Sequence, residues 1–257
     1  MSGMLDGKVA LISGCGAGIG AAASRLFAAN GATLWLNDRN PDAYEALLAE
    51  LAASDASVGG VVGDMSDPAF VNSWVQGAID AYGRIDVLYN NVGVSRSGLI
   101  GDLNDEDWRF QQSVTLDSVF YATRAVLPHM IANGGGSIVS MSSGAGIGGN
   151  YNLGGYAAAK AGVINLMETV ATEYGGYGIR ANAVTPGPTA TAPLLEYLAT
   201  QPGGVEAHVA DLNLQRLSEP EEVAQTVLWL ASDFSSNITG ICVRSNIRAA
   251  SRRPHGS

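Results

Sequence analysis

Val9-Ala10-Leu11-Ile12-Ser13-Gly14-Cys15-Gly16-Ala17-Gly18-Ile19-Gly20 is the stretch on which the fold of this chain turns. Its first five residues are uncharged and mostly apolar, as in a strand buried on both faces. They run directly into a glycine-rich loop of the form G-x-x-x-G-I-G. This is not the G-x-G-x-x-G fingerprint, because Ile19 stands where the third glycine would be. The physics is shared. Glycines let the backbone approach a pyrophosphate, and a following helix offers free N–H groups and the positive end of its dipole. A glycine-rich turn by itself fits a plain tight turn equally well. Its place between a strand and a helix favours the phosphate cradle.

Outward from this point, short apolar runs alternate with longer amphipathic stretches. Strands are expected at 33–37, 58–62, 86–90, 137–141 and 180–184, and helices at 18–30, 41–53, 68–82 and 105–133, the last bent before Pro128. A further helix carries Tyr156 and Lys160 and runs to Tyr174. Regular β-α alternation with short loops implies a parallel sheet covered on both faces, and right-handed crossovers make it a Rossmann-type doubly wound α/β fold. Residues 187–214 break the rhythm with Pro188, Pro193 and Pro202 between apolar patches, as an irregular lid would. Ser218 and Glu221 then form a capping box for a helix reaching Ala231. No linker or repeat divides the chain. The expectation is one dinucleotide-binding catalytic domain over 1–244 and a basic tail over 245–257.

Composition narrows the function. Of 257 residues, 47% are hydrophobic and 15% charged, so a large core is expected. A net charge of −10 argues against nucleic acid or an anionic membrane as partner. Two cysteines, Cys15 and Cys242, are too few for a disulfide framework and fit a reducing cytoplasm. His129, His208 and His255 lack metal-ligand spacing, so no metal is expected. The N-terminus reads as lacking a signal peptide, and no run of apolar residues is long enough to span a membrane.

Asp38 ends the second strand, eighteen residues beyond Gly20. A carboxylate there reaches the adenosine ribose hydroxyls and repels a 2′-phosphate, so NAD is expected in preference to NADP. Arg39 pulls the other way, since it offers a charge for that phosphate. Farther along, Tyr156 and Lys160 stand at i and i+4 on one helix face, and the chain has only one other lysine. An ammonium beside a phenol lowers the tyrosine pKa and equips it to exchange a proton with an alcohol or carbonyl. Such a pair alone is equally at home on an ordinary helix surface.

The motifs taken together resemble the short-chain dehydrogenase/reductase family, in its compact single-domain branch, over residues 5–243. Residues 14–20, with Gly14, Gly18, Ile19 and Gly20, match its T-G-x-x-x-G-I-G loop, Ser13 replacing the threonine. Asn90-Asn91-Val92-Gly93 matches N-N-A-G, and Gly63-Asp64-Met65 the acidic segment that meets the adenine. Ser142-Ser143 matches the double serine, with Ser143 thirteen residues before Tyr156. Pro186-Gly187-Pro188-Thr189-Ala190-Thr191 matches the P-G-x-x-x-T that flanks the nicotinamide.

The resemblance implies that Tyr156 is the general acid/base, Lys160 lowers its pKa and holds the nicotinamide ribose, and Ser143 binds the substrate oxygen. It also assigns Met65, Asn91, Gly93, Pro186, Gly187, Thr189 and Thr191 to the nucleotide site. The substrate would be a secondary alcohol or its ketone. The walls of its pocket would include Val94, Ser95, Gly144, Ala145, Tyr151, Leu194, Leu195 and Leu198, with Arg96 near. A homotetramer or homodimer is the usual assembly.

Two departures stand out. Thr115 takes the place of the family's helix asparagine, and is expected to bond back to its own helix, bend it and weaken the proton relay. After Val243 the family's V-D-G-G is replaced by Ser245-Asn246-Ile247-Arg248, which makes the assembly less secure. A rival class, a non-catalytic dinucleotide-binding sensor or scaffold, draws only on these two departures.

Overall fold

The computed structural model describes residues 3–54 and 56–247. Its centre is one sheet of seven strands: β1 (Val9–Ser13), β2 (Thr33–Asp38), β3 (Val58–Val62), β4 (Val87–Asn90), β5 (Gly136–Met141), β6 (Ile179–Pro186) and β7 (Cys242–Ser245). Their order is β3-β2-β1-β4-β5-β6-β7, and every pairing is parallel. Sequence order reverses between β1 and β4, the point where open α/β sheets leave a crevice at the carboxyl ends of their strands. The register makes those ends level: Ser13 lies opposite Asn37 on one side and Asn90 on the other. The loops after β1, β2 and β4 therefore converge on one spot.

Two apolar layers flank the sheet. On one face, α1 (Gly18–Ala29), α2 (Pro41–Ala52) and α9 (Pro220–Ala231) bury Phe27, Leu47, Leu51, Val227 and Leu228 against β1, β2 and β4. On the other, α3 (Pro68–Tyr82), α5 (Ser118–Ala132) and α6 (Gly154–Tyr174) bury Trp74, Val126, Met130, Val163 and Met167. Central strands β1 and β4 are buried at every position, which explains why they read as unbroken apolar runs.

Helix starts follow local chemistry. Asn40 and Asp67 cap α2 and α3 with their side chains, and a proline opens each helix where its missing N–H costs nothing. The capping box of α9 sits one residue later than the sequence pattern placed it. Glu219 is the N-cap, and its N–H donates to the Glu222 carboxylate at 2.8 Å, because Pro220 fixes the first helical position.

The stretch 105–133 is not one helix bent at Pro128. It comprises α4 (Asp105–Gln112), a π-helical turn at Ser113–Asp117, and α5. Pro128 lies inside α5 on its exposed side. The segment 187–214 is more ordered than an irregular lid. It holds α7 (Ala192–Ala199) and α8 (Gly204–Val209), with a small core of Leu198, Val209, Leu212 and Leu217. The basic tail with Arg248, Arg252, Arg253, Pro254 and His255 lies outside the described residues. No helix among the described residues is long and apolar enough to cross a membrane.

Candidate active site

The glycine loop leaves β1 and delivers the chain to α1. Ala17 is the N-cap of α1 and no side chain caps it, so the first-turn N–H groups are left without a side-chain partner. A Cβ on Gly20 would overlap the Gly14 carbonyl oxygen, so only glycine lets the loop close so tightly onto the helix. Asn91 braces this turn. Its Nδ2 donates to the Gly14 carbonyl at 2.9 Å, and its Oδ1 accepts from the hydroxyl of buried Tyr89 at 3.0 Å. Ile19 turns inward against the core, and the Thr191 methyl covers Gly18.

Asp38 is held in place by two backbone donors, Gly16 N–H at 2.8 Å and Asn40 N–H at 2.9 Å. With Gly14, Arg39, Asp64, Met65, Asn91 and Gly93 it lines a cleft of about 220 Å³ at the reversal of strand order. The Asp64 carboxylate turns the chain by accepting from Ser66 N–H and Oγ–H, both at 2.8 Å, while Met65 is buried. This loop, its uncapped helix and the adjacent carboxylate fit a dinucleotide: backbone donors for the pyrophosphate, Asp38 for ribose hydroxyls. Cys15 lies buried beneath it. Burial and the neighbouring Asp38 charge push its thiol up to about 12, which leaves it an inert packing group.

Tyr156, Lys160 and Ser143 meet beside this cleft. Ser143 is the N-cap of a short 3-10 turn after β5, and its Oγ accepts from Ala145 N–H at 3.2 Å and lies on the side of the Tyr156 phenol. Ser142 Oγ donates to the Lys160 carbonyl at 2.8 Å and fixes α6 against β5. Lys160 is 1% exposed. Its Nζ donates to the Met141 carbonyl at 2.6 Å and lies 5.7 Å from the Tyr156 ring centroid. Gly93 leaves room for that amine, since a Cβ there would stand 2.8 Å from Nζ.

The electrostatics reverse one expectation. Lys160 was expected to lower the Tyr156 pKa. Although the Tyr156 side chain keeps some accessible surface, its phenol end is enclosed, and burial raises it above the ordinary 10.0. The neighbouring Ser143 hydroxyl works in the opposite direction and is the smaller effect. Lys160 adds no comparable pull, and burial lowers its own pKa to about 7.

Thr115 also differs from expectation. Its hydroxyl leaves its own helix, donating to the Val94 carbonyl at 3.2 Å and accepting from Val94 N–H at 3.1 Å. The back-bond within the helix comes from Ser118, whose Oγ donates to the Val114 carbonyl at 2.7 Å beside the π turn. Thr115→Val keeps the shape but strands both Val94 groups. Denaturant unfolding should show a loss of about 1–3 kcal/mol.

Several positioning residues escaped the sequence reading. Gln112 Nε2 donates to the Gly155 carbonyl at 2.8 Å and anchors the turn before Tyr156, and Gln111 is wholly buried beside Gly155. Two adjacent glutamines closing a helix of charged and aromatic residues were the available signal. Of the expected pocket walls, Leu198 instead fills the small core of segment 187–214. Arg96 is engaged by Asp107 at 3.7 Å and stacks over Phe110 at 4.8 Å. Pro186 ends β6, Gly187 N–H donates to the Ser245 carbonyl at 2.8 Å, and Thr189 Oγ1 donates to the Gly187 carbonyl at 3.1 Å. This turn brings Thr191 over the glycine loop. No group of three His, Cys, Asp or Glu among the described residues could hold a metal ion.

Fold and site together define a dinucleotide-linked oxidoreductase, and comparison with known proteins specifies which kind. The family model described as enoyl-(acyl carrier protein) reductase matches residues 14–245. A 3-oxoacyl-acyl-carrier-protein reductase, FabG, of Thermotoga maritima is 42% identical over 236 residues, covering 92% of this chain and 95% of that protein. Cyclohexanol dehydrogenase of an Acinetobacter species is 36% identical, covering 93% and 94%. A crystal structure described as a short-chain dehydrogenase/reductase from Burkholderia xenovorans superposes with a TM-score of 0.90 at 34% identity, covering 95% and 97%. The chain belongs to the short-chain dehydrogenase/reductase family.

Proposed function

We propose that this protein is an NAD-dependent oxidoreductase of secondary alcohols and their ketones, with Tyr156 as the proton-transferring residue. The observation that carries the reading is the gathering of Ser143, Tyr156 and Lys160, with the Lys160 amine 5.7 Å from the Tyr156 ring centroid and against Gly93, which lines the Asp38 cleft. The bound nicotinamide supplies or accepts the hydride. Ser143 hydrogen-bonds the substrate oxygen and steadies the charge that develops there. Tyr156 gives its phenol proton to that oxygen during ketone reduction and takes it back during alcohol oxidation. Lys160, one helical turn on, holds the ribose hydroxyls of the nicotinamide half. The whole unit over 1–244 acts as one catalytic domain, in the cytoplasm and as a homo-oligomer.

The raised phenol pKa gives this chemistry a pH signature. Reduction needs the protonated phenol, so its rate should hold through neutral pH and fall under alkaline conditions. Oxidation needs the phenolate and should rise as pH increases. Opposite slopes in the two directions are the expected result, and parallel slopes would count against Tyr156.

Asp38 supports NAD over NADP, because a carboxylate pinned by Gly16 N–H would repel a 2′-phosphate brought to the end of β2. Asp38→Ser should cut the NAD-to-NADP ratio of kcat/KM at least about tenfold, or ~1.4 kcal/mol. A wild-type enzyme that prefers NADP would sink the assignment. The rival reading of a non-catalytic sensor is weaker: the relatives above bear the names of a reductase and a dehydrogenase.

A further inference from the structure

Two residues after β7 join three segments that border the active site. Asn246 stands at φ 47°, a left-handed conformation that asparagine tolerates better than most residues. Its Oδ1 accepts from Leu214 N–H at 2.9 Å, and its Nδ2 donates to the Arg216 carbonyl at 2.7 Å. The next carbonyl, Ile247, accepts from Asn213 N–H at 3.2 Å. Three bonds thus hold the returning limb of the α7–α8 segment. Toward the sheet, the Asn246 carbonyl lies so close to Gly187 that a Cβ there would overlap it. The Ile247 side chain reaches the loop after β5. Its Cγ2 lies 3.9 Å from the place of a Cβ on Gly144, the neighbour of Ser143.

The α7–α8 segment is built as a unit on a narrow neck. Ala190 N–H donates to the Ser218 carbonyl at 2.8 Å, and Ser218 N–H donates to the Pro188 carbonyl at 3.0 Å. Between these ends the segment packs largely on its own small core of Leu198, Val209, Leu212 and Leu217. A piece that is stable within itself and joined to the rest through a neck is positioned by whatever clasps it there. Asn246 is that clasp. The V-D-G-G pattern has no apolar side chain after its acidic residue, whereas this chain places isoleucine directly after Asn246, where its side chain meets the Ser143 loop.

We propose that Asn246 is a positioning residue that clasps the α7–α8 cap, and that Ile247 forms a wall of the substrate space beside Ser143 which limits the bulk of the alcohol admitted. The inference rests on the proposed alcohol–ketone reading. It is tested on the full-length chain with NAD and a graded set of cyclopentanol, cyclohexanol and cyclooctanol, alongside NADH titrations. Ile247→Ala should raise the kcat/KM ratio of cyclooctanol to cyclopentanol about tenfold or more and leave NADH affinity unchanged. Asn246→Gly keeps the left-handed backbone but removes all three side-chain bonds, the third being Nδ2 to Ser218 Oγ at 3.5 Å. It should raise KM across the set while kcat and NADH affinity hold.

Hydrogen exchange gives a readout independent of turnover. Asn246→Gly should speed exchange across 190–217 and leave β1 and β4 as slow as in wild type. An unchanged size profile in Ile247→Ala overturns the wall, and unchanged exchange with unchanged KM overturns the clasp. If wild type oxidises none of the alcohols with either nucleotide, the alcohol reading and the wall fall together, while exchange still decides the clasp.

Discussion

Tyr156→Phe should lower turnover in both directions by about 10²–10⁴-fold and leave NADH binding intact. The substitution removes one oxygen and the proton it carries. The ring stays, and with it the packing of α6 against β5. The substrate oxygen would still meet Ser143, so substrate affinity should change little while kcat collapses. Steady-state rates of NADH formation and consumption, with a parallel fluorescence titration of NADH, separate these quantities. A variant that keeps most of its activity would remove Tyr156 from the chemistry. A variant that loses NADH binding would show that the phenol serves the nucleotide site instead.

Lys160→Met should abolish most activity and yet stabilise the fold at neutral and acidic pH. Folding moves the Lys160 amine from its ordinary 10.5 to about 7, because the charged form loses its water. Below pH 7 folded and unfolded chains both hold the proton, and the full cost of burying the charge is present. Between pH 7 and 10.5 the unfolded chain holds more protons, so wild-type stability rises with pH. The cost at acidic pH is on the order of 5 kcal/mol, a value already net of the bond to the Met141 carbonyl. Methionine fills similar volume without a charge. Calorimetry should find the variant's advantage in Tm largest at pH 6 and reduced at pH 9. A wild type more stable than the variant at pH 6 would contradict the burial argument. A lysine kept in spite of such a cost is retained for what its amine does.

Much of this was legible in the sequence because the signals are local. The strand-to-loop-to-helix junction over residues 9–29 stands as its pattern required, and Asp38 falls at the end of the neighbouring strand. Helix α3 matched its sequence bounds because Asp67, Pro68 and Gly83 mark both ends with fixed backbone preferences. The parts that were not legible depend on contacts between distant segments. The π turn at Ser113–Asp117 exists where Thr115 turns its hydroxyl to Val94, a residue on another loop. The shift of Tyr156 upward rather than downward follows from enclosure by the tertiary fold, which i, i+4 spacing does not report. Asn246 reads as an ordinary turn residue until Leu214 and Arg216 are found on its side chain.

The most direct test is the formation of reduced nucleotide by the wild-type protein, followed by absorbance, across a panel of secondary alcohols that includes cyclohexanol, with NAD and NADP run in parallel. The expected result is NADH formation from at least one secondary alcohol, faster with NAD than with NADP and steeper as pH rises. Tight nucleotide binding with no turnover of any alcohol, or of the matching ketones in reverse, would contradict it and leave a binding protein in place of an enzyme.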